Sequence, residues 1–208
     1  MIFGGVPLVP LEDIDSFVRV RDVAQSQIRA AHLEAVKGLD EREDLEPRLR
    51  QILFDANETA HGPAELVDIF THKLTMTGRA GLAGFILKGK SYPTVRPRDV
   101  SHQIYRLEKI SGLRFAVLGS SGNLLDSVRE QFASTCERLD VRYAFLDALD
   151  MARIFVAYDH LCPRDAKWLH GESCDCGYVP ARKTPNLFQV EALKAFSESL
   201  GLHQGRVS

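Results

Sequence analysis

Three side chains in the middle of the chain have the chemistry to work on a phosphodiester. Asp68 lies in the apolar run Leu66-Val67-Asp68-Ile69-Phe70, Lys88 ends the run Gly84-Phe85-Ile86-Leu87-Lys88, and Gln103 follows in Ser101-His102-Gln103-Ile104. A carboxylate or an ammonium group inside an apolar strand is expensive to bury. Two such violations on neighbouring strands point to a shared site. A carboxylate that holds a divalent cation, beside a lysine that polarises a phosphate or orients a water, is a recurrent arrangement for phosphodiester hydrolysis. On spacing alone the two charges also read as solvated strand ends or as a structural ion pair.

A second group sits near the C-terminus. Cys162, His170, Cys174 and Cys176 fall in a turn-rich stretch, and soft or borderline ligands of this kind suit tetrahedral zinc. His160 is an alternative to His170. The competing reading is three ordinary reduced thiols. Four cysteines in 208 residues are too few for a disulfide scaffold. With four protein ligands the zinc is structural and leaves no open position. Cys136 reads as a core residue of an amphipathic helix.

The elements that must position these groups follow from apolar periodicity. Residues 11–37 predict a helix ended by Gly38, and 45–57 a second with Pro47 in its first turn. After the break at His61-Gly62-Pro63, residues 65–76 predict a strand, 77–81 a turn and 82–88 a short buried strand, together a hairpin. Residues 91–98 predict a loop, and 99–110 a helix capped by Asp99 or Ser101. Strands at 113–119 and 141–147 alternate with helices at 123–139 and 149–158, which gives an α/β fold with a mixed sheet and helices on its faces. The segment 159–185 is irregular, and 186–200 predicts a final amphipathic helix before a frayed tail. The division expected is a domain over 1–158 and a cysteine-bearing segment with its helix over 159–208.

Composition sets outer bounds. Hydrophobic residues make up 45% and charged residues 26%, enough to build a core in one domain with a small appendage. The net charge of -2 argues against a strongly basic nucleic-acid coat while leaving room for a local basic patch. Lys73, Arg79, Lys88, Lys90, Arg96, Arg98 and Arg106 all fall between 73 and 106, as in a phosphate-binding face or a hairpin edge that uses lysine against aggregation. No run approaches a membrane span, and the start lacks the pattern of a signal peptide, so a cytosolic protein without membrane partners is expected.

The span 45–147 resembles the PD-(D/E)xK, or restriction-endonuclease-like, nuclease superfamily. That family places a glutamate on an early helix, an aspartate on one strand, an acid and a lysine two residues apart on the next, and often a glutamine on the following helix. The resemblance assigns these roles to Glu65, Asp68, Lys88 and Gln103, with Ile86 standing where the family carries its second acid. It implies a restriction-endonuclease-like sheet and a Mg²⁺- or Mn²⁺-dependent endonuclease acting on nucleic acid, DNA in the first instance, in bacterial defence or genome maintenance. Glu65 and Asp68, with a backbone carbonyl near Leu87, would ligate the ion. His61 and His102 are candidates for assistance. The resemblance also leaves room for a homodimer or an activating partner. Ile86 admits two accounts: either Glu65 supplies the missing carboxylate, or the chain binds nucleic acid or a protein without cutting.

Two other features have local explanations. Asp147 or Asp150 reads as the cap of the helix that follows. Gly119-Ser120-Ser121-Gly122-Asn123 reads as a tight strand-to-helix turn, because it lacks the lysine and spacing of a P-loop; its functional alternative is a phosphate of a small metabolite held at the helix N-terminus.

Overall fold

The computed structural model describes residues 8–55, 66–170 and 173–180. The expected helix at 186–200, Glu65 and His61 lie outside the described residues.

The N-terminal stretch is not one α-helix. It forms 3-10 turns at Leu11–Asp13, Asp15–Asp22 and Gln25–Gln27 before a true helix, α1, at Ala30–Lys37. The reason lies in the apolar spacing. Leu11, Ile14, Phe17, Val20 and Val23 recur every third residue, and all five are buried. Short 3-10 turns suit that spacing, and the extended residues Ile14 and Val23 that end them, with the kink at Phe17, keep all five in one core. A π-helical turn at Glu41–Leu45, capped by Asp40, then leads into α2, Glu46–Leu53, with Pro47 in its first turn as expected.

The expected strand over 65–76 is broken. Strand β1 covers Ile69–Thr71, and a miniature hairpin of β2, Thr75–Met76, and β3, Arg79–Ala80, turns through Thr77 and Gly78. Both turn residues have positive φ, 49° and 71°, which glycine tolerates and threonine adopts at a cost. Strand β4, Leu82–Lys88, is buried along its whole length. Part of the expected loop 91–98 is strand β5, Thr94–Val95, which precedes α3, Pro97–Arg106. Pro97 takes the first helical position, and Asp99 Oδ2 accepts the Arg96 N–H at 2.8 Å, so Asp99 caps from inside the first turn. Strand β6, Leu113–Ser120, is followed by β7, Asn123–Leu124, then α4, Asp126–Arg138, β8, Arg142–Leu146, and α5, Ala148–Ala157. Asp147 accepts the amides of Leu149 and Asp150 and caps α5 as expected.

The main sheet has the order β1-β4-β6-β8. β1 runs antiparallel to β4, while β4, β6 and β8 are mutually parallel, so the sheet is mixed. Alternate side chains feed two cores, as the period of two demands. Phe85, Leu87, Phe115 and Val117 join the 3-10 turns, α1, α2 and α5. Ile86, Ala116 and Leu118 join Val100 and Ile104 of α3 and Val128 and Phe132 of α4. Each fully buried side chain of this size contributes about 1.5–3 kcal/mol. The parallel strands are covered on both faces, which is why they read as continuous apolar runs. No helix among the described residues is long and apolar enough to cross a membrane.

Parallel strands aligned in this way present their carboxyl ends on one edge. Lys88 ends β4 opposite Ser120, the last residue of β6. Because β1 runs the other way, the residue just before it, Asp68, falls at that same edge. The β2–β3 hairpin, with Arg79 in it and Lys73 just before it, lies at the other end of β4. The cation cluster read from the sequence is therefore split, leaving Lys90, Arg96 and Arg98 exposed on the Lys88 side.

Candidate functional site

Asp68 is locked into the edge of the sheet. Its amide donates to the Phe85 carbonyl at 2.8 Å, extending the β1–β4 ladder by one residue. Its carboxylate accepts the Leu87 amide at Oδ2, 2.6 Å away. Gln103, from the second turn of α3, donates its Nε2 to both carboxylate oxygens at 3.1 and 3.3 Å. Asp68 itself is 7% exposed, so this carboxylate is held by protein donors rather than by bulk water. The Asp68 carbonyl also faces Arg50 Nη2 at 3.4 Å, and Arg50 is held by Glu46 at 2.9 Å.

Lys88 is 4% exposed. Its ammonium lies 3.9 Å from Glu41 Oε2 and 5.1 Å from the centre of the Tyr92 ring. At 3.9 Å the pair is in Coulomb contact without a direct hydrogen bond. Burial, followed by the negative charges of Glu41, Asp99 and Asp68, pushes the Tyr92 hydroxyl above its ordinary pKa. Three carboxylates therefore act on one phenol beside Lys88.

Glu41 reaches this point because the turn after α1 is stitched to the end of β4. Lys90 donates its amide to the Leu39 carbonyl at 2.7 Å. Gly89 packs on the Asp40–Glu41 backbone so closely that a Cβ there would stand 2.8 Å from the Asp40 carbonyl carbon and 2.9 Å from the Leu39 oxygen. Only glycine permits that approach. Two acceptors at the site, Glu41 Oε2 and Gln103 Oε1, are buried without a hydrogen-bond partner among the described residues, as is the Ser121 hydroxyl on the neighbouring turn. Orphaned buried acceptors of this kind are rare in folded proteins and are commonly met by an ordered water or an ion.

The sequence-expected trio Asp68, Lys88 and Gln103 is thus brought to one edge. Glu41 joins it as a carboxylate that sequence reasoning missed. Its signal was poor, because Glu41-Arg42-Glu43-Asp44 reads as the acidic first turn of a helix. Ile86 is fully buried in the core shared with α3 and α4 and offers no ligand. His102 is exposed on α3. The Gly119–Asn123 segment is not a helix N-terminus, since β7 intervenes and pairs with β5 before α4 begins.

The cysteine cluster is assembled in part as expected. The thiols of Cys162, Cys174 and Cys176 lie within 4.8 Å of one another, and they are the group of His, Cys, Asp and Glu ligands found among the described residues that could hold a metal ion. His170 is exposed and does not belong to that group; neither does His160. The Leu169 amide bonds back to the His160 carbonyl at 2.9 Å, which closes the loop before His170. Cys162 is buried and its carbonyl is bonded to His32 at 3.1 Å. Burial raises the Cys162 thiol, but the amides of Asp165 and Arg164 and the two neighbouring thiols outweigh it and hold the group below its ordinary value. Cys176 is pushed up to about 11 by desolvation and by its two sulfur neighbours. Three adjacent thiols cannot all ionise without a cation, a charge that a bound metal would supply.

No family model matches the chain, and no curated protein or solved structure matches it.

Proposed function

We propose that the chain is a metal-dependent nuclease of the restriction-endonuclease-like kind, hydrolysing phosphodiester bonds in DNA, with Asp68, Glu41, Lys88 and Gln103 as its working groups. The observation that carries this reading is the convergence of Asp68, Lys88 and Glu41 at the carboxyl edge of the sheet, with Glu41 Oε2 buried and lacking a hydrogen-bond partner among the described residues. Support also comes from the element order: an antiparallel strand pair, a helix carrying the glutamine and a parallel strand.

The donor set fits Mg²⁺ or Mn²⁺. Asp68 and Glu41 supply carboxylate oxygens and Gln103 Oε1 an amide oxygen, all hard ligands, and two of these acceptors are orphaned. When bound, such an ion supplies Lewis-acid polarisation of the phosphate and a more acidic water. The protein's own groups do the rest. The Leu87 amide and Gln103 Nε2 fix the Asp68 carboxylate, so it does not reorganise during the reaction. Lys88 offers a cation to the non-bridging oxygens as charge builds on them in the transition state, at a position where low water content strengthens the interaction. Tyr92 beneath the ammonium and the Gly89 contact beside it hold Lys88 and Glu41 in place. Arg96 and Arg98 provide exposed cations on the same side for the nucleic-acid backbone.

The proposal includes a structural zinc at the cysteine cluster, since thiolates suit that ion and have no part in a hard-cation site. A second reading is favoured by one observation, the buried Ile86 where the resemblance places an acid: a nuclease-like protein that binds nucleic acid without cutting it. Incubation of supercoiled plasmid with Mg²⁺, Mn²⁺ or EDTA separates the two. Metal-dependent nicking supports the nuclease; salt-sensitive binding without nicking supports the binder.

A further inference from the structure

The three thiols leave one corner of a tetrahedron to be filled, and the structure points to its occupant. We infer that Asp165 is the fourth ligand of a mononuclear zinc held by Cys162, Cys174 and Cys176. The inference rests on the zinc reading above and adds the coordination set.

The sulfur geometry fits a single ion. Cys162 and Cys176 Sγ are 3.5 Å apart, and all three sulfurs lie within 4.8 Å. Zinc–sulfur bonds of roughly 2.3 Å at tetrahedral angles put sulfurs about 3.8 Å apart. A disulfide would bring them to roughly 2.05 Å, and all four cysteines of the chain are free.

Asp165 is placed on both sides of this set. Its amide points at Cys162 Sγ, 3.5 Å away, and its carboxylate Oδ2 lies 4.0 Å from Cys174 Sγ. With metal–oxygen bonds of roughly 2.0–2.2 Å, the expected oxygen–sulfur edge is about 3.5 Å. The carboxylate is not within 4.8 Å of all three sulfurs, so ligation requires a side-chain rotation toward Cys162 and Cys176, which the exposed Asp165 is free to make. The turn that holds it is set by the chain itself. Ala166 donates to the Cys162 carbonyl at 3.0 Å and Cys162 to the Lys167 carbonyl at 2.8 Å. In the turn that follows, the Cys174 and Gly177 amides bond to the Tyr178 and Cys174 carbonyls at 2.8 Å each, which turns Cys174 and Cys176 toward the same point. The other nearby carboxylate, Asp175, is turned outward to Lys167 Nζ at 2.8 Å.

The site also fastens the segment to the body. Cys162 is bonded to His32 of α1, and Tyr178 donates to Asp159 Oδ1 at 2.7 Å, whose other oxygen pairs with Arg19 at 2.9 Å. A metal joining Cys162 to Cys174 and Cys176 closes the loop between these two anchors.

The test measures metal content of the purified full-length protein, then replaces zinc with Co²⁺ and records its absorption. One equivalent of tightly held zinc is expected, with sulfur-to-cobalt charge transfer and the intense ligand-field bands of a tetrahedral ion. Cys174→Ser should remove about one third of the charge-transfer intensity, one thiolate of three. Asp165→Asn should keep that intensity, shift the ligand-field bands and weaken zinc affinity at least about 10-fold. Asp175→Asn should change neither. Bands and affinity unchanged in Asp165→Asn would overturn Asp165 as a ligand and leave the zinc standing. Protein that takes up neither zinc nor cobalt would overturn both.

Discussion

Gln103 gives its amide nitrogen to both oxygens of Asp68 while its own carbonyl oxygen is buried without a hydrogen-bond partner among the described residues. One side chain therefore orients the carboxylate and adds an acceptor next to it. Gln103 is a positioning residue for Asp68 in the proposed reaction. Gln103→Leu should lower kcat about 10-fold, the scale on which groups that orient metal ligands act. It should also raise the metal concentration needed for half-maximal rate. Single-turnover cleavage at graded Mg²⁺ checks this; a rate and metal dependence equal to the parent's would show that Asp68 does not need the glutamine.

The split of the cations gives a prediction about binding. Arg96 and Arg98 stand at the start of α3 on the Lys88 side, and Lys73 and Arg79 by the hairpin at the far end of β4. Arg98 pairs only loosely with Asp99, at 3.6 Å, with its side chain 76% exposed. Replacing both Arg96 and Arg98 by alanine should lower the slope of log affinity against log salt by about 2, close to one per lost phosphate contact. Replacing Lys73 and Arg79 should leave it unchanged. Fluorescence anisotropy with labelled duplex at several salt concentrations reads the slope.

Gly89→Ala should disturb the site from outside it. The added methyl meets the Leu39–Glu41 backbone and must push it away from β4. Overpacking of this kind costs about 1–3 kcal/mol. Urea denaturation should show that loss, and cleavage should fall with it because Glu41 moves with its backbone. Stability and activity both at the parent's level would mean that the contact is slack.

Asp150 predicts a pH dependence of stability separate from the proposed active site. Burial, then the Asp147 carboxylate, pushes its pKa up to about 6 from an ordinary 3.8. A raised carboxyl pKa means that the folded state holds the proton where the unfolded state has released it. Stability from this group is therefore present below about pH 4 and is lost as pH rises to about 6. Asp150→Asn, which keeps an acceptor for the Asp147 amide, should raise stability by about 1–2 kcal/mol at pH 7.5 and leave it unchanged at pH 3.5. Denaturation curves at the two pH values decide it; a gain of equal size at both would remove ionisation as the cause.

Local chemistry was legible in the sequence and long-range geometry was not. Leu82–Lys88 and the strands beside it were readable because both faces of a central parallel strand must be apolar. Asp147 as a cap was readable because a cap bonds to amides two and three residues on. Leu11, Ile14, Phe17, Val20 and Val23 misled, since a spacing of three serves short 3-10 turns and also passes for one edge of an α-helical stripe. His170 falls outside the group of three thiols, which nearness in sequence could not reveal. Glu41 could not be found in advance. Its place beside Lys88 depends on Gly89 admitting the turn after α1, a contact between distant segments that no local pattern records.

The most direct test of the central claim is cleavage of supercoiled plasmid by the parent protein and by Glu41→Gln, in Mg²⁺, in Mn²⁺ and in EDTA, with Lys88→Ala alongside and thermal unfolding recorded for each. The account predicts metal-dependent nicking by the parent. It predicts a loss of at least about 100-fold in Glu41→Gln and in Lys88→Ala, on the scale of a lost electrostatic group in an active site, with both variants still folded. Nicking by folded Glu41→Gln at the parent's rate, or no nicking by the parent with either Mg²⁺ or Mn²⁺, would contradict it.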